Sequence, residues 1–231
     1  MSFAPAWAFL YPGGVRCVVT AGPTYEPLDN VRRLTNFSTG RLGSELAHHL
    51  AARGHEVILL LGEHATYHPD LPKIELFGTT ADLEERLRAA SKYPIQAVFH
   101  AAAVSDFQFG KVWLRSETSE PVEIKSGKIS TRHGTLLAEL VPTRKIISFL
   151  RDWFPSARLI GWKFEVDGGQ ADVLKRAHAQ LSEFRTDACV ANGPAYGPGF
   201  GFVTAQNEPI HLADKQALFD ALSNFIQVSN G

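Results

Sequence analysis

Cysteine is scarce in this chain, methionine scarcer still, and neither sign of charge dominates. Two cysteines, Cys17 and Cys189, stand among 231 residues. Each lies inside an apolar strand-like run, which reads as two buried reduced thiols and excludes a disulfide-stapled fold. Acidic and basic residues nearly cancel, leaving a formal net charge of -1. That excludes a nucleic-acid carpet or a polybasic membrane anchor. No run approaches the ~20 apolar residues that span a bilayer. The apolar stretch Ser2–Tyr11 is short and no lysine or arginine precedes it, so no secretory signal is expected and the chain reads as cytoplasmic. The metalloprotease pattern HExxH is missing. His64 and His68 are four apart, but Pro69 follows in a loop-like segment, so no metal site is assigned. The dinucleotide fingerprint GxGxxG is missing too: after the first apolar run, Ala21-Gly22-Pro23-Thr24-Tyr25 offers one glycine and then a proline. None of the five tyrosines has a lysine four positions on, which removes the acid–base pair of a short-chain reductase.

What is present is an ordinary globular composition, 45% hydrophobic and 20% charged, in a chain long enough for one large α/β domain. Apolar runs alternate with helical patterns, which predicts a Rossmann-like, three-layer α/β/α fold on a mainly parallel sheet. Strands are predicted over Arg16–Ala21, Glu56–Leu61, Lys73–Phe77, Ile95–Ala101, Arg158–Trp162 and Ala188–Ala191. Helices are predicted over Arg41–Arg53, Ala81–Lys92, Thr143–Trp153, Gln170–Phe184 and Asp214–Gln227. Phe202–Leu212 reads as a hairpin. Between Val104 and Thr135 periodicity lapses. A loop that long within a compact domain is usually functional, so residues 1–231 are read as one domain carrying a strap or flap over 104–135.

The segment Asn36-Phe37-Ser38-Thr39-Gly40-Arg41-Leu42-Gly43 leads into the apolar pattern of Leu46, Ala47, Leu50 and Ala51. Ser38 or Thr39 can cap that helix, whose free N–H groups then favour an anion by roughly 0.3–1 kcal/mol when exposed. With Arg32, Arg33 and Arg41 nearby, phosphate is the simplest ligand. In an open parallel sheet a ligand sits at the carboxyl ends of the strands, where Ala21–Gly43, Ala101–Phe107 and Gly161–Asp167 would meet. The alanine run Ala101–Ala103 lets a flat ligand lie against backbone, or equally marks a tight helix–sheet contact. Asp106 could receive a ribose hydroxyl, a base amine or magnesium, or simply serve a turn. Lys125 and Lys128 lie in the irregular segment.

Together these residues resemble the phosphopantothenoylcysteine synthetases, the phosphopantothenate–cysteine ligases of coenzyme A biosynthesis. The resemblance runs from Arg16 to Gln227. It is carried by Val19–Thr24, Glu26-Pro27-Leu28, Val31-Arg32, Asn36–Arg41, Ala101–Phe107, Gly161–Glu165 and Val190-Ala191-Asn192, in order and spacing. It implies a homodimer that uses CTP or ATP with Mg²⁺ to join 4'-phosphopantothenate to L-cysteine through an acyl-nucleotidylate. It implies catalytic roles for Asn36 and Lys128, the latter because isoleucine follows it, with Lys125 as the fallback. It implies nucleotide contacts at Gly22, Ser38, Thr39, Gly40, Gly43, Ala102, Asp106, Trp162 and Lys163, and substrate contacts at Asn36, Ala103 and Arg32. Arg32 would grip the pantothenate phosphate, within its own subunit or across the dimer.

The chain departs from that pattern in places. Pro142–Ile146 replaces an Asn-Pro-Asp-Ile block, and between Gln170 and Phe184 only Lys175 and Arg176 are basic. CTP and ATP therefore both stay open. Many relatives carry an upstream flavin-dependent decarboxylase. Fifteen residues before the first strand cannot hold one, so a stand-alone form without flavin is expected. Two other classes are a catalytically silent nucleotide-binding dimer and a nicotinamide-dependent oxidoreductase.

Overall fold

The computed structural model describes residues 14–115, 120–124, 127–130 and 134–227. The chain runs through β1 (Arg16–Ala21), β2 (Tyr25–Pro27), β3 (Arg33–Thr35), α1 (Arg41–Ala52), β4 (Glu56–Gly62), β5 (Ile74–Phe77) and α2 (Thr80–Ala90). It continues through β6 (Ala97–His100), β7 (Phe107–Arg115), β8 (Val122–Glu123), β9 (Thr135–Pro142), a 3₁₀ turn (Ile146–Phe149), α3 (Leu150–Trp153) and β10 (Arg158–Phe164). Then come α4 (Gln170–Phe184), β11 (Ala188–Asn192), β12 (Phe200–Thr204), β13 (Ile210–Leu212) and α5 (Lys215–Gln227).

Eight strands form one sheet in the order β13-β12-β11-β10-β6-β1-β4-β5. It is parallel from β11 to β5 and closes with the antiparallel pair β12 and β13. From β1 the chain first builds outward through β4 and β5, then returns to lay β6 on the other side. The topological switch point therefore lies between β1 and β6, where such sheets open a crevice beyond their strand ends.

The expected three layers follow from period-two alternation on strands covered on both faces. Val19 and Leu59 meet Leu46 and Leu50 of α1 and Leu222 of α5 on one face. Val18 and Leu60 meet Leu83 and Leu87 of α2 and Leu150 of α3 on the other. Farther along, Val173, Ala177 and Leu181 of α4 pack on Cys189 and Val203. Each large aliphatic residue so buried contributes about 1.5–3 kcal/mol. Two helix starts are capped by side chains: Thr79 accepts from the Asp82 N–H at 3.2 Å, and Asp214 accepts from the Ala217 N–H at 2.8 Å.

Three expectations are corrected. The stretch expected to lack regular structure contains much of a three-stranded antiparallel arm, β8-β7-β9, paired from Phe107 with Pro142 to Arg115 with Thr135. Both faces of this arm are largely exposed, so no apolar alternation announces it, and a register break between Phe109 and Val112 disturbs the period further. The helix expected from Thr143 begins only at Ile146, as a 3₁₀ turn. Before it, the Thr143 N–H donates to the Asp106 carbonyl (2.9 Å) and the Thr143 hydroxyl to the Ser105 carbonyl, which keeps the segment extended. Lastly, α1 is not capped by Ser38 or Thr39 in the expected way. Gly40 holds the cap position at φ 75°, a conformation open to glycine, and has no side chain to accept; Thr39 Oγ1, one residue earlier, takes only the Arg41 N–H.

Candidate active site

At the carboxyl ends of β6 and β10 lies a cleft of about 260 Å³. Ala102, Ala103 and Asp106 line it from the segment after β6, Trp162 and Lys163 from the end of β10. Five of the residues singled out from the sequence thus come together. The floor and far rim add His100, Thr143, Lys145 and Gln180, none of which the sequence had marked. Lys145 was hidden in an expected helix, and His100 inside an expected strand.

Hydrogen bonds close the switch point. The Ala103 N–H donates to the Gly22 carbonyl (2.9 Å), and the Thr24 N–H to the Ala103 carbonyl (3.1 Å). The Ala102 N–H donates to Thr20 Oγ1 at 3.1 Å, and the Ser105 N–H to Thr24 Oγ1 at 2.8 Å. The backbone N–H groups of both alanines are therefore engaged internally. What the pair offers a ligand is the lack of a larger side chain and the Ala102 carbonyl.

Asn36 reaches this edge from the chain after the β2–β3 ribbon. Its Nδ2 donates to the carbonyls of Ala103 (3.1 Å) and Val104 (3.3 Å), which leaves Oδ1 as an acceptor for a ligand. At the rim, Lys145 Nζ is 3.2 Å from Asp106 Oδ1, and Lys163 Nζ is 3.1 Å from Glu165 Oε1. Trp162 also packs against the α1-side core, and its buried indole N–H lacks a partner among the described residues.

The glycines of the helix entrance act chiefly in packing. A Cβ on Gly43 would stand 2.7 Å from that of Ala21, and one on Gly40 would stand 2.9 Å from that of Ala65 and 3.2 Å from the Gly22 backbone. The entrance of α1 is thereby pressed onto the end of β1. Ser38 Oγ accepts from the Gly40 N–H (3.4 Å) and Thr39 Oγ1 from the Arg41 N–H (3.3 Å), while no acidic residue occupies the first turn. Arg41 is paired with Glu45 at 2.6 Å and lies over the Tyr67 ring, so its charge is compensated rather than offered to a phosphate.

Arg32 holds the arm. Its guanidinium pairs with Asp29 (2.9 Å) and donates to the Ile129 carbonyl. Asp29 also accepts from the Ile129 N–H (3.1 Å), and the Asn30 N–H donates to the Gly127 carbonyl (3.0 Å). Burial alone would raise the Asp29 carboxyl, but the N–H groups of Val31, Ile129 and Arg32, with the Arg32 charge, hold it below the usual carboxylate range. Lys128 lies within the clamped residues 127–130 and does not line the cleft; Lys125 falls outside the described residues.

Both thiols are buried. Burial pushes Cys17 far above the ordinary thiol range and Cys189 up to about 12. No helix among the described residues is long and apolar enough to cross a membrane.

Comparison with known proteins gives a consistent picture. Residues 13–223 match the family described as the DNA/pantothenate metabolism flavoprotein C-terminal domain. The chain is 34% identical over 185 residues to the coenzyme A biosynthesis bifunctional protein CoaBC of Thermococcus kodakarensis, covering 78% of this chain and 41% of that protein. Against its counterpart in Mycolicibacterium smegmatis the identity is 33% over 202 residues, with 84% and 45% covered. The chain thus spans about half or less of these curated relatives. The crystal structure of the DNA/pantothenate metabolism flavoprotein from Streptococcus pneumoniae superposes with a TM-score of 0.80 at 26% identity, covering 93% of this chain and 99% of that one.

Proposed function

Because the chain belongs to the family of the DNA/pantothenate metabolism flavoprotein C-terminal domain, we propose that it is the phosphopantothenate–cysteine ligase of coenzyme A biosynthesis. In the first step a carboxylate oxygen of 4'-phosphopantothenate attacks the α-phosphorus of CTP or ATP. The α–β phosphoanhydride bond breaks and pyrophosphate leaves. In the second step the L-cysteine amine attacks the acyl carbon, loses a proton, and displaces the nucleoside monophosphate to leave 4'-phosphopantothenoyl-L-cysteine.

One observation carries this reading: Asn36 is tied by its amide to the carbonyls of Ala103 and Val104 at the mouth of the cleft. That tether keeps Asn36 Oδ1 beside the residues that line the cleft, which supports its assignment to the acyl-nucleotidylate. Preorganised polar groups of this kind stabilise developing charge without reorganising during the reaction. Gly22, Ser38, Thr39, Gly40 and Gly43 shape the phosphate end, the first four by their position around the α1 entrance and Gly43 by letting the helix approach. Ala102, Asp106, Trp162 and Lys163 hold the nucleotide, and Lys145 joins them. Ala103 and Arg32 serve the pantothenate side. The reacting phosphate is assigned to Lys128, on the strength of the family resemblance, with Lys125 as the alternative; residues 127–130 would have to leave the clamp of Arg32 and Asp29 to bring it to the cleft.

Mg²⁺ takes one or two carboxylates and completes its shell with phosphate oxygens and water. Asp106 is a single, exposed carboxylate beside the cleft, which fits that demand; when bound, the ion offsets the charge of the triphosphate. The described residues belong to the C-terminal type of domain, so no flavin enters these steps. A homodimer is part of the proposal. The β2–β3 ribbon and its flanks expose Val31 and Phe37, and the arm exposes Val122 and Leu140, an apolar display suited to a second copy. We place the enzyme in the cytoplasm, where its substrates are small and diffusible.

The test is pyrophosphate release with Mg²⁺, 4'-phosphopantothenate and L-cysteine, comparing CTP with ATP. Release that needs phosphopantothenate is expected with at least one triphosphate. No release with either refutes the ligase.

A further inference from the structure

Between β2 and β3 the chain turns through Leu28-Asp29-Asn30-Val31-Arg32, and one carboxylate organises that turn. Asp29 Oδ1 accepts the N–H groups of Val31 (2.9 Å) and Arg32 (2.8 Å), as a short acidic side chain commonly does in a turn. In return the N–H groups of Leu28 and Asp29 donate to the Arg32 carbonyl, at 2.8 and 3.3 Å. Arg32 is thus fixed at both its N–H and its carbonyl.

The other carboxylate oxygen holds the side chain. Asp29 Oδ2 lies 2.9 Å from Arg32 Nη2 and accepts the Ile129 N–H at 3.1 Å. Nη2 itself donates to the Ile129 carbonyl. The turn alone needs only Oδ1, and an asparagine would serve it as well. It is Oδ2, facing a guanidinium and an N–H, that demands an acceptor with charge; the amide of an asparagine would set donor against donor there. The Asp29 side chain is 0% exposed, that of Arg32 36%. Arg32 is therefore held from its covered side. Its Nε and Nη1 make no hydrogen bond among the described residues, which leaves those donors for an anion.

We propose that Asp29 is a positioning residue for phosphate recognition: it pins Arg32 through Nη2 and so presents Nε and Nη1 to the phosphate of 4'-phosphopantothenate. The proposal rests on the ligase reading, which gives that phosphate to Arg32, and adds the residue through which Arg32 is aimed. The pin works alike whether the phosphate lies in its own subunit or in a second copy. Two effects oppose each other here. A long side chain already ordered spares the ligand roughly two- to tenfold in affinity, whereas a carboxylate beside the arginine weakens its pull on an anion. The proposal requires that the ordering wins.

Calorimetric titration of the full chain with 4'-phosphopantothenate and with pantothenate tests this, because the two differ only in the phosphate. Wild type is expected to prefer the phosphorylated compound by about tenfold or more. Asp29→Asn is expected to reduce that preference roughly two- to tenfold, with pantothenate binding little changed. Arg32→Met is expected to reduce it at least as far, and adding Asp29→Asn to Arg32→Met should alter it by less than about twofold. Arg32→Lys keeps the charge but has one nitrogen for carboxylate and phosphate together, so it too is expected to lose preference. A preference that is unchanged or larger in Asp29→Asn overturns the proposal. So does an equal loss from Asp29→Asn when Arg32 is already Met. Should Asp29→Asn fail to fold, an undiminished preference in Arg32→Lys overturns it. Equal binding of both compounds by wild type removes it together with the assignment of Arg32. A wild type that prefers the phosphate yet releases no pyrophosphate removes the ligase reading, and the Asp29 comparison still decides the pin.

Discussion

Gly43→Ala sets two effects of opposite sign against each other. Inside a helix, alanine is favoured over glycine by about 0.8–1 kcal/mol, so propensity alone predicts a more stable protein. The structure predicts the reverse. The new methyl would stand 2.7 Å from Ala21 Cβ and 3.2 Å from the Thr20 carbonyl oxygen, where carbon atoms ordinarily meet at about 3.5–4.0 Å. The start of α1 must retreat from β1 by about 1 Å, at a position where Gly43 and Ala21 are both buried. Overpacking of that kind costs about 1–3 kcal/mol. The net expectation is a loss of about 1 kcal/mol, and for a chain of this size roughly 2–4 °C in Tm. Urea and thermal unfolding at pH 7.5 measure it directly, and nucleotide titration reports whether the displaced helix entrance also weakens binding. A variant stabilised by about 1 kcal/mol would show that α1 rides loosely on the sheet, and the packing account of Gly40 and Gly43 would fail.

Three further outcomes are expected. Stability should fall below about pH 6.5. Burial first, then Arg53 and His49, lowers the pKa of His55, whose Nδ1 accepts the Val15 N–H, and burial also lowers His49 and His100. The unfolded chain takes up those protons first, so the stabilisation is full above the unfolded pKa and is lost as pH falls; an unchanged urea midpoint between pH 7.5 and 5.5 contradicts it. Lys128→Gln should reduce pyrophosphate release tenfold or more, since about 1.4 kcal/mol at the transition state is already a factor of ten; normal release transfers the role to Lys125. Arg32→Met should release residues 127–130 and quicken tryptic cleavage after Lys128 several-fold, whereas an unaltered rate would mean the clamp does not restrain that stretch.

Much of the body was legible because its strands are buried on both faces. Arg16–Ala21 and Gln170–Phe184 were read with the bounds they have. The arm was not, because an exposed sheet needs no apolar alternation: Phe107–Arg115 interleaves aromatic residues with Gly110 and Lys111. The cleft was half legible. Asn36, Ala102, Ala103, Asp106, Trp162 and Lys163 stand at or around it, but Lys145, His100 and Gln180 are brought in by topology. Nothing local marks Gln180, whose reach over β10 depends on a glycine nineteen positions earlier on the neighbouring strand. The glycines of the α1 entrance carried a signal that was read as ligand chemistry, and the structure adds a packing reason for Gly40 and Gly43 in the close approach of α1 to the end of β1.

The paired ends of the arm have an evolutionary and practical consequence. Phe107 lies opposite Pro142, and the chain leaves the body at Asp106 and re-enters at Thr143, whose N–H donates to the Asp106 carbonyl. Exit and entry are one strand spacing apart, about 5 Å. Shortening or lengthening residues 107–142 would therefore re-thread no strand of the eight-stranded sheet, and a graft would have to carry matching partners for Asp29, Asn30 and Arg32, which hold residues 127–130. Such a graft would move arm chemistry between proteins while the cleft floor stays that of the host.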